Sequence, residues 1–126
     1  MDKEMLLLKI TKDLKRLRLP VDEVDLYIRP YSKTYYGRYF PTKCDEVKPK
    51  IYLYPYDINN KVDYDQTLDT AIHEMVHHLQ YNSPYFVRLK HVMHNTNFWK
   101  LYNRYHAKAV DLGIIGGMLN ENKKAI

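Results

Sequence analysis

Residues 65–82, DQTLDTAIHEMVHHLQYN, carry the pattern that decides the fold. Apolar side chains recur at helical spacing in this stretch and predict one long amphipathic helix. The apolar stripe consists of Leu68, Ile72, Met75, Val76 and Leu79. Pro84 follows and is expected to close the helix. The opposite side carries His73, Glu74 and His77, so we expect one face to pack into the core and the other to present polar side chains.

Those three polar residues form an H-E-x-x-H motif over residues 73–77. A spacing of four residues on a helix places both imidazoles one turn apart, close enough to share a metal ion. Glu74 projects between the turns and is expected to reach a water molecule beside the metal rather than the metal itself. Zinc would lower the pKa of that water from about 15.7 to about 7, and the carboxylate would take its proton during attack on a carbonyl group. The competing interpretation is a helix whose polar residues simply face water.

A catalytic zinc site needs a third protein ligand. The metzincin pattern is excluded because Gln80 and Ser83 stand where it requires glycine and histidine. A downstream glutamate of the thermolysin type is also excluded, since the only one is Glu121 in the polar tail. His78 is too close in sequence to the motif to face the same way. The remaining candidates are His91, His94, His106 and Asp111. His94 is the best placed, because a ligand just before a helix is positioned by a packed element while its ring stays free.

Together with this helix, the remaining segments predict an α+β domain in which helices precede and follow the strands of a small sheet along the chain. Helices are predicted over residues 4–18 and 97–112, strands over 25–29, 38–40 and 50–56, and a short element over 85–93. The strand over 50–56 alternates, with Ile51 and Leu53 on one face and tyrosines on the other. Pro55 cannot donate to a strand ladder, which favours an edge position or a strand end.

The last helix carries recognisable end signals. Asn95 or Thr96 is expected to cap its start, and Gly113 fits its C-terminal exit. Phe98 is expected to be buried beneath His94. The apolar side of this helix comprises Phe98, Leu101, Tyr102, Tyr105, Ala109 and Leu112. Residues 113–126 are expected to form a loose tail, and the chain from 1 to 126 reads as one domain.

Composition excludes several classes of protein. The single cysteine, Cys44, excludes an intramolecular disulfide framework and a cysteine-rich zinc ribbon. No apolar run approaches the roughly 20 residues that a membrane span needs, and the apolar run in residues 1–10 is too short for that of a secretory signal. The expectation is a soluble, cytoplasmic protein without a membrane partner, assumed monomeric.

Charge points weakly to a polyanionic partner. Twenty basic residues against fifteen acidic ones give a net charge of +5. The basic side chains of the first helix favour a solvated surface, with a nucleic-acid contact as the alternative. We expect weak, sequence-independent DNA binding at most, and a steep loss of affinity with salt would support it.

The order of motifs resembles the SprT-like zinc metallopeptidases. The residues that carry the resemblance are Gly37, Cys44, Ile51-Tyr52-Leu53, His73-Glu74-Met75-Val76-His77 and His94-x-x-x-Phe98-Trp99. The interval of 17 residues from His77 to His94 is similar to that of SprT proteins. The resemblance covers residues 3–112, although only about a dozen positions carry it.

The resemblance implies a zincin-like fold of the minigluzincin kind and one zinc ion per chain. It implies zinc held by His73, His77 and His94, with Glu74 as general base and acid in hydrolysis of peptide bonds in a protein substrate. The tyrosine-rich strand would be the edge beside the cleft, where an extended peptide could add. Many SprT proteins carry a C-terminal cysteine zinc ribbon, which a chain with only Cys44 cannot build. The alternative function is a non-catalytic, zinc-stabilised module that binds nucleic acid or protein.

Overall fold

Three α-helices and a three-stranded sheet form a small mixed α+β domain over residues 2–82 and 94–116, the part of the chain that the computed structural model describes. The α+β class predicted from the sequence is therefore confirmed. In chain order the elements are α1 (Lys3–Arg16), β1 (Asp25–Ile28), β2 (Gly37–Phe40), β3 (Lys50–Leu53), α2 (Tyr64–Tyr81) and α3 (Thr96–Asp111). The element predicted over residues 85–93 lies outside the described residues.

Helix α1 forms because its N-terminus is capped and its apolar side chains share one face. The Asp2 carboxylate accepts a hydrogen bond from the Met5 backbone N–H at 2.8 Å. Leu6, Ile10, Leu14 and Leu17 recur at helical spacing within the helix predicted over residues 4–18, and all four are fully buried. The helix ends at Arg16, two residues earlier than predicted, because Arg18 adopts a left-handed conformation with φ of 61°.

The sheet has the strand order β1-β3-β2, so the tyrosine-rich strand β3 is central. β1 pairs with it in parallel and β2 in antiparallel orientation. The edge position expected for this strand is therefore wrong. Pro55 does not interrupt the ladder because β3 ends at Leu53, before the proline is reached. Within the described residues β2 is an edge strand. Both β2 and β3 pack against α2.

Helices α1 and α2 pack on the same face of the sheet. Ile28, Ile51 and Leu53 point to that face and are buried. Helix α2 lies in the middle of the domain, in contact with α1, the sheet and α3. Every residue of α2 from Gln66 to His78 is buried. The polar side of α2 is therefore covered as well, by α3 at His73 and His77 and by β2 at Glu74.

Helix α3 begins and ends where the sequence signals predict. The Asn95 side chain accepts a hydrogen bond from the Phe98 backbone N–H at 2.9 Å, and Gly113 has a φ of 71°. Two expectations for this region are wrong. Leu112 is 44% exposed rather than packed, and Ile115 is buried although it was assigned to the loose tail. The reason is that the chain turns at Gly113 and folds back, which carries Ile115 into the core.

The rest of the tail, residues 117–126, lies outside the described part of the chain. Within residues 2–82 and 94–116, none of the helices has the length and apolar character that crossing a membrane requires.

Candidate metal centre

Three histidine side chains converge at the interface between α2 and the start of α3. The Nε2 atom of His94 lies 3.2 Å from the Nε2 atom of His73 and 3.0 Å from that of His77. The potential ligand atoms of all three lie within 4.8 Å of one another. His73 and His77 are 7% and 3% exposed, whereas His94 is exposed. These three residues are close enough to bind a metal ion.

The convergence of three ring nitrogens, rather than any single distance, favours a cation over hydrogen bonds alone. Tetrahedral zinc with Zn–N bonds of about 2.0–2.1 Å places its nitrogen ligands about 3.3–3.4 Å apart. One N–H proton can bridge two imidazole nitrogens. A third nitrogen pointing at the same proton would then have no proton of its own to accept, or would bring a second N–H proton against the first. A metal ion accepts lone pairs from all three rings at once. The donor set therefore fits a metal such as zinc, copper, iron or nickel, for which imidazole is a suitable ligand.

Each ligand is positioned by an identifiable contact. His73 and His77 stand one turn apart on α2, as their spacing predicts. His94 directly precedes Asn95, the N-cap residue of α3. The Gln80 side chain donates from Nε2 to Asn95 Oδ1 at 3.1 Å, so α2 holds the start of α3 beside the pair of histidines. Sequence reasoning missed this role of Gln80, because nothing in the sequence pairs it with Asn95.

Phe98 forms the floor of the histidine cluster. Its ring is fully buried, and its centroid lies 4.8, 4.6 and 4.9 Å from the rings of His73, His77 and His94. The expectation that an aromatic ring packs beneath His94 is confirmed. Trp99 also contacts the His94 ring and is 43% exposed, so it lies at the rim of the site.

The environment favours neutral histidines. Burial, then the neighbouring His77 and His94, lower the pKa of His73 to about 3. Burial also lowers the pKa of His94. Both side chains are therefore uncharged near neutral pH, which is the form of imidazole that binds metal.

Glu74 is the most unusual polar residue of the domain. It is 0% exposed, and neither carboxylate oxygen has a hydrogen-bond partner among the described residues. Burial raises the pKa of Glu74 well above its usual range, and Arg38 acts in the opposite direction. A buried carboxyl group without a hydrogen-bond partner lowers the stability of the fold, which indicates that Glu74 has a role other than stabilisation. The interpretation in which the polar residues of the motif face water is wrong for all three of them.

The edge strand β2 runs directly against Glu74. A Cβ atom on Gly37 would lie 2.6 Å from Thr70 Cγ2 and 3.3 Å from Glu74 Cγ. Only glycine lets the strand approach α2 this closely. Gly37 was one of the residues that carry the resemblance to SprT-like peptidases, but its contact with Glu74 could not be predicted from that resemblance.

The other sequence candidates for a third ligand do not join the cluster. His106 Nδ1 lies 2.9 Å from Asp69 Oδ1, and the Tyr102 hydroxyl donates to the same oxygen at 2.5 Å. Asp111 is exposed at the last residue of α3. His91 lies outside the described residues. The pairing of His106 with Asp69 is a feature that sequence reasoning missed.

His78 faces away from the cluster, as its position in the sequence predicts. It is 2% exposed, and its ring nitrogens contact the Tyr39 hydroxyl and Glu23 Oε1, each at 2.8 Å. These contacts connect α2 to the edge strand β2 and to the segment before β1. His78 therefore belongs to the framework that supports α2 and not to the candidate metal centre.

Comparison of this chain with protein-family models, curated proteins and solved structures gives no match. The case for a function consequently rests on the residues and on their geometry.

Proposed function

We propose that this protein is a zinc-dependent metallopeptidase of the SprT-like type with a zincin-like fold, which hydrolyses peptide bonds in a protein substrate. One observation carries the proposal: the unpartnered carboxylate of Glu74 is buried next to three histidines whose Nε2 atoms converge. His73, His77 and His94 would hold one zinc ion per chain. A site that only stabilised the fold would not need a carboxylate between two of its ligands.

The chemistry assigned to Glu74 is proton transfer. A bound zinc ion would supply Lewis acidity, which lowers the pKa of water and polarises a carbonyl group. Glu74 accepts one proton from the attacking water as the new C–O bond forms. It then delivers that proton to the nitrogen as the C–N bond breaks, so the products are a carboxylic acid and an amine. No covalent intermediate with the protein is required.

The exposed side of the cluster is where substrate would approach. His94 is exposed and Trp99 is 43% exposed, whereas Glu74 is fully buried behind them. Within the described residues β2 has a partner strand on one side only, and its first residue, Gly37, lies against Glu74. An extended peptide paired with this edge would pass close to the base. Strand β2 therefore replaces the tyrosine-rich strand as the edge proposed for the substrate.

The first test is the metal content of the purified protein, prepared without chelator. We expect about one zinc per chain in the wild type, and zinc that is lost or held at least about tenfold more weakly in His94→Ala. His106→Ala is the matched control, because His106 contacts Asp69 and lies outside the cluster. Full zinc in His94→Ala would contradict the three-histidine site.

The second test separates catalysis from metal binding. Glu74→Gln keeps the size of the side chain but cannot accept the proton, so peptidase activity on an unfolded protein substrate should fall by about 10²-fold or more. Zinc content and folding should be preserved. Glu4→Gln, an exposed change of the same kind on α1, should retain full activity.

Two results would contradict the assignment. Full activity in Glu74→Gln would refute the role of Glu74 in catalysis. A folded, zinc-loaded wild type without activity on a broad peptide library would favour the non-catalytic, zinc-stabilised module instead.

A further inference from the structure

The sheet has a second face, turned away from α2. The Gly37 position points at Thr70 and Glu74, and the Tyr39 hydroxyl reaches His78, so both point to α2. Successive side chains of a strand alternate between faces, so Arg38 and Phe40 of β2 point to the other side of the sheet. The strand register extends this assignment across the sheet. We call this surface the outer sheet face, and it comprises Asp25, Tyr27, Arg29, Arg38, Phe40, Lys50 and Tyr52.

Aromatic rings form a continuous layer on the outer sheet face. The Tyr52 ring lies at the centre, with its centroid 5.5 Å from that of Tyr27 and 4.8 Å from that of Phe40. These three rings come from three different strands, since Tyr27 is in β1, Tyr52 in β3 and Phe40 in β2. Tyr27 is 42% exposed, and the other two are half-buried. The rings meet edge to face, at interplanar angles of 79° and 61°, and the exposed Tyr27 ring is the one of the three that is most open to stacking with another flat group.

Positive charge is interleaved with the rings. The Arg29 guanidinium lies 5.3 Å from the Tyr52 ring centroid, and that of Arg38 lies 4.8 Å from the Phe40 centroid. No carboxylate of the described residues lies within ion-pair distance of either arginine. Lys50 adds a third cation, next to Asp25 in the strand register. The seven residues of the face therefore carry three positive charges and one negative charge, a net charge of +2.

We propose that the outer sheet face binds single-stranded nucleic acid. The exposed Tyr27 ring would stack against an unpaired base, with Tyr52 and Phe40 packed beside it, and Arg29, Arg38 and Lys50 would contact the phosphates. Stacking of bases on aromatic side chains combined with a positively charged track is how proteins bind single strands without sequence preference. A base-paired duplex offers no exposed base faces to the rings, which makes the single strand the better partner. This inference does not depend on the metal centre, because the sheet separates the two.

Charge variants test which surface contacts the phosphates. Binding of a labelled oligodeoxythymidylate of about 12 nucleotides would be followed by fluorescence anisotropy between low and physiological salt. Three phosphate contacts predict a slope of log K against log salt of about −2 for a single strand. The double variant Arg29→Gln/Lys50→Gln should bind more weakly, with a slope about 1.4 smaller in magnitude.

The matched control is Lys3→Gln/Lys12→Gln, which removes the same charge from exposed positions of α1. It should bind like the wild type if the sheet face is the binding surface. An equal loss in both double variants would overturn the proposal, because binding would then follow net charge or α1. Absence of binding by the wild type at low salt would overturn it as well.

Ring variants test stacking separately from charge. Tyr27→Leu removes the aromatic ring but keeps an apolar side chain, and it should weaken binding by about 5- to 100-fold. Tyr27→Phe keeps the ring and should bind like the wild type. Thermal unfolding of both variants shows whether the fold is intact. Arg29→Gln alone tests the same surface while leaving every aromatic ring in place. Equal affinity of Tyr27→Leu and the wild type, or equal affinity for a duplex of the same length, would refute stacking.

A second copy of this chain is the competing occupant of the face. If sedimentation shows a dimer that Tyr27→Leu converts to monomer while nucleic-acid binding is unchanged, the outer sheet face is an interface between copies and the proposal is wrong.

Discussion

Replacing Gly37 with alanine is expected to destabilise the protein, because a methyl group at this position has no room. The added Cβ would lie 2.6 Å from Thr70 Cγ2 and 3.2 Å from the Tyr52 carbonyl oxygen. The first distance is well below van der Waals contact between two carbon atoms, so α2 and β2 must separate. Thr70 is 1% exposed and packed in the middle of α2, which leaves it little freedom to move aside.

The magnitude follows from two opposing effects. Overpacking of a buried contact costs about 1–3 kcal/mol in the free energy of unfolding. Replacing glycine by alanine also restricts the unfolded chain, which returns about 0.4–1 kcal/mol, since Gly37 does not have a positive φ. The net loss should be about 1–2 kcal/mol, a measurable part of the roughly 5–15 kcal/mol that keeps a domain folded.

Urea unfolding followed by circular dichroism, in chelator to remove the contribution of metal binding, measures this loss. Gly116→Ala is the matched control, because a Cβ there meets nothing within 4 Å, and its change should stay within about 0.5 kcal/mol. Thr70→Ser removes the clashing methyl group and keeps the hydroxyl that donates to the Gln66 carbonyl oxygen. In this background the cost of Gly37→Ala should fall by at least about 1 kcal/mol. Strict additivity of the two changes, or a Gly37→Ala variant as stable as the wild type, would refute the reasoning.

Two further predictions concern contacts that the sequence did not reveal. Gln80→Ala should weaken zinc binding by about tenfold in chelator competition without unfolding the protein, because the Gln80 side chain holds Asn95 and thereby positions His94. An unchanged zinc affinity would show that α3 is positioned without this contact. Tyr64→Phe should lower the free energy of unfolding by about 1.5–3 kcal/mol, since the Tyr64 hydroxyl donates to the buried Asp13 carboxylate at 2.5 Å. Burial and this hydrogen bond raise the pKa of Tyr64. The stabilisation is therefore present below about pH 10, the usual pKa of tyrosine, and is lost as the pH rises further. The free energies of unfolding of the wild type and Tyr64→Phe, measured in urea, should converge at alkaline pH, and a difference that persists there would contradict this explanation.

Local signals predicted most of the elements. Helical periodicity and end signals located α1, α2 and α3 to within two residues, and Asn95 caps α3 as one of two predicted alternatives. Capping and periodicity act between residues a few positions apart, so the sequence alone contains them. The spacing of His73 and His77 belongs to the same class of signal. His94 was favoured over His91, His106 and Asp111 by its place before a helix, and the structure brings it to the other two histidines.

Contacts between distant segments were decided by the tertiary structure. The alternation in β3 showed which side chains share a face, but its central position depended on where β1 and β2 paired. The amphipathic pattern of α2 predicted a face that carries ligands, but it did not show that α3 and β2 bury that face. The motif predicted that Glu74 accepts a proton, whereas its complete burial against Gly37 depends on the packed strand and could not be predicted from the motif.

The sequence by itself determined most of the local elements and the spacing of His73 and His77, and it favoured His94 as their partner without deciding it. The tertiary structure decided which surfaces meet: α3 over the polar side of α2, β2 against Glu74, and the aromatic and basic residues of three strands on one outer face. The physical reason is that periodicity specifies the face on which a side chain lies but not the partner of that face. The partner is chosen by the burial of apolar area and by close packing between segments far apart in the chain.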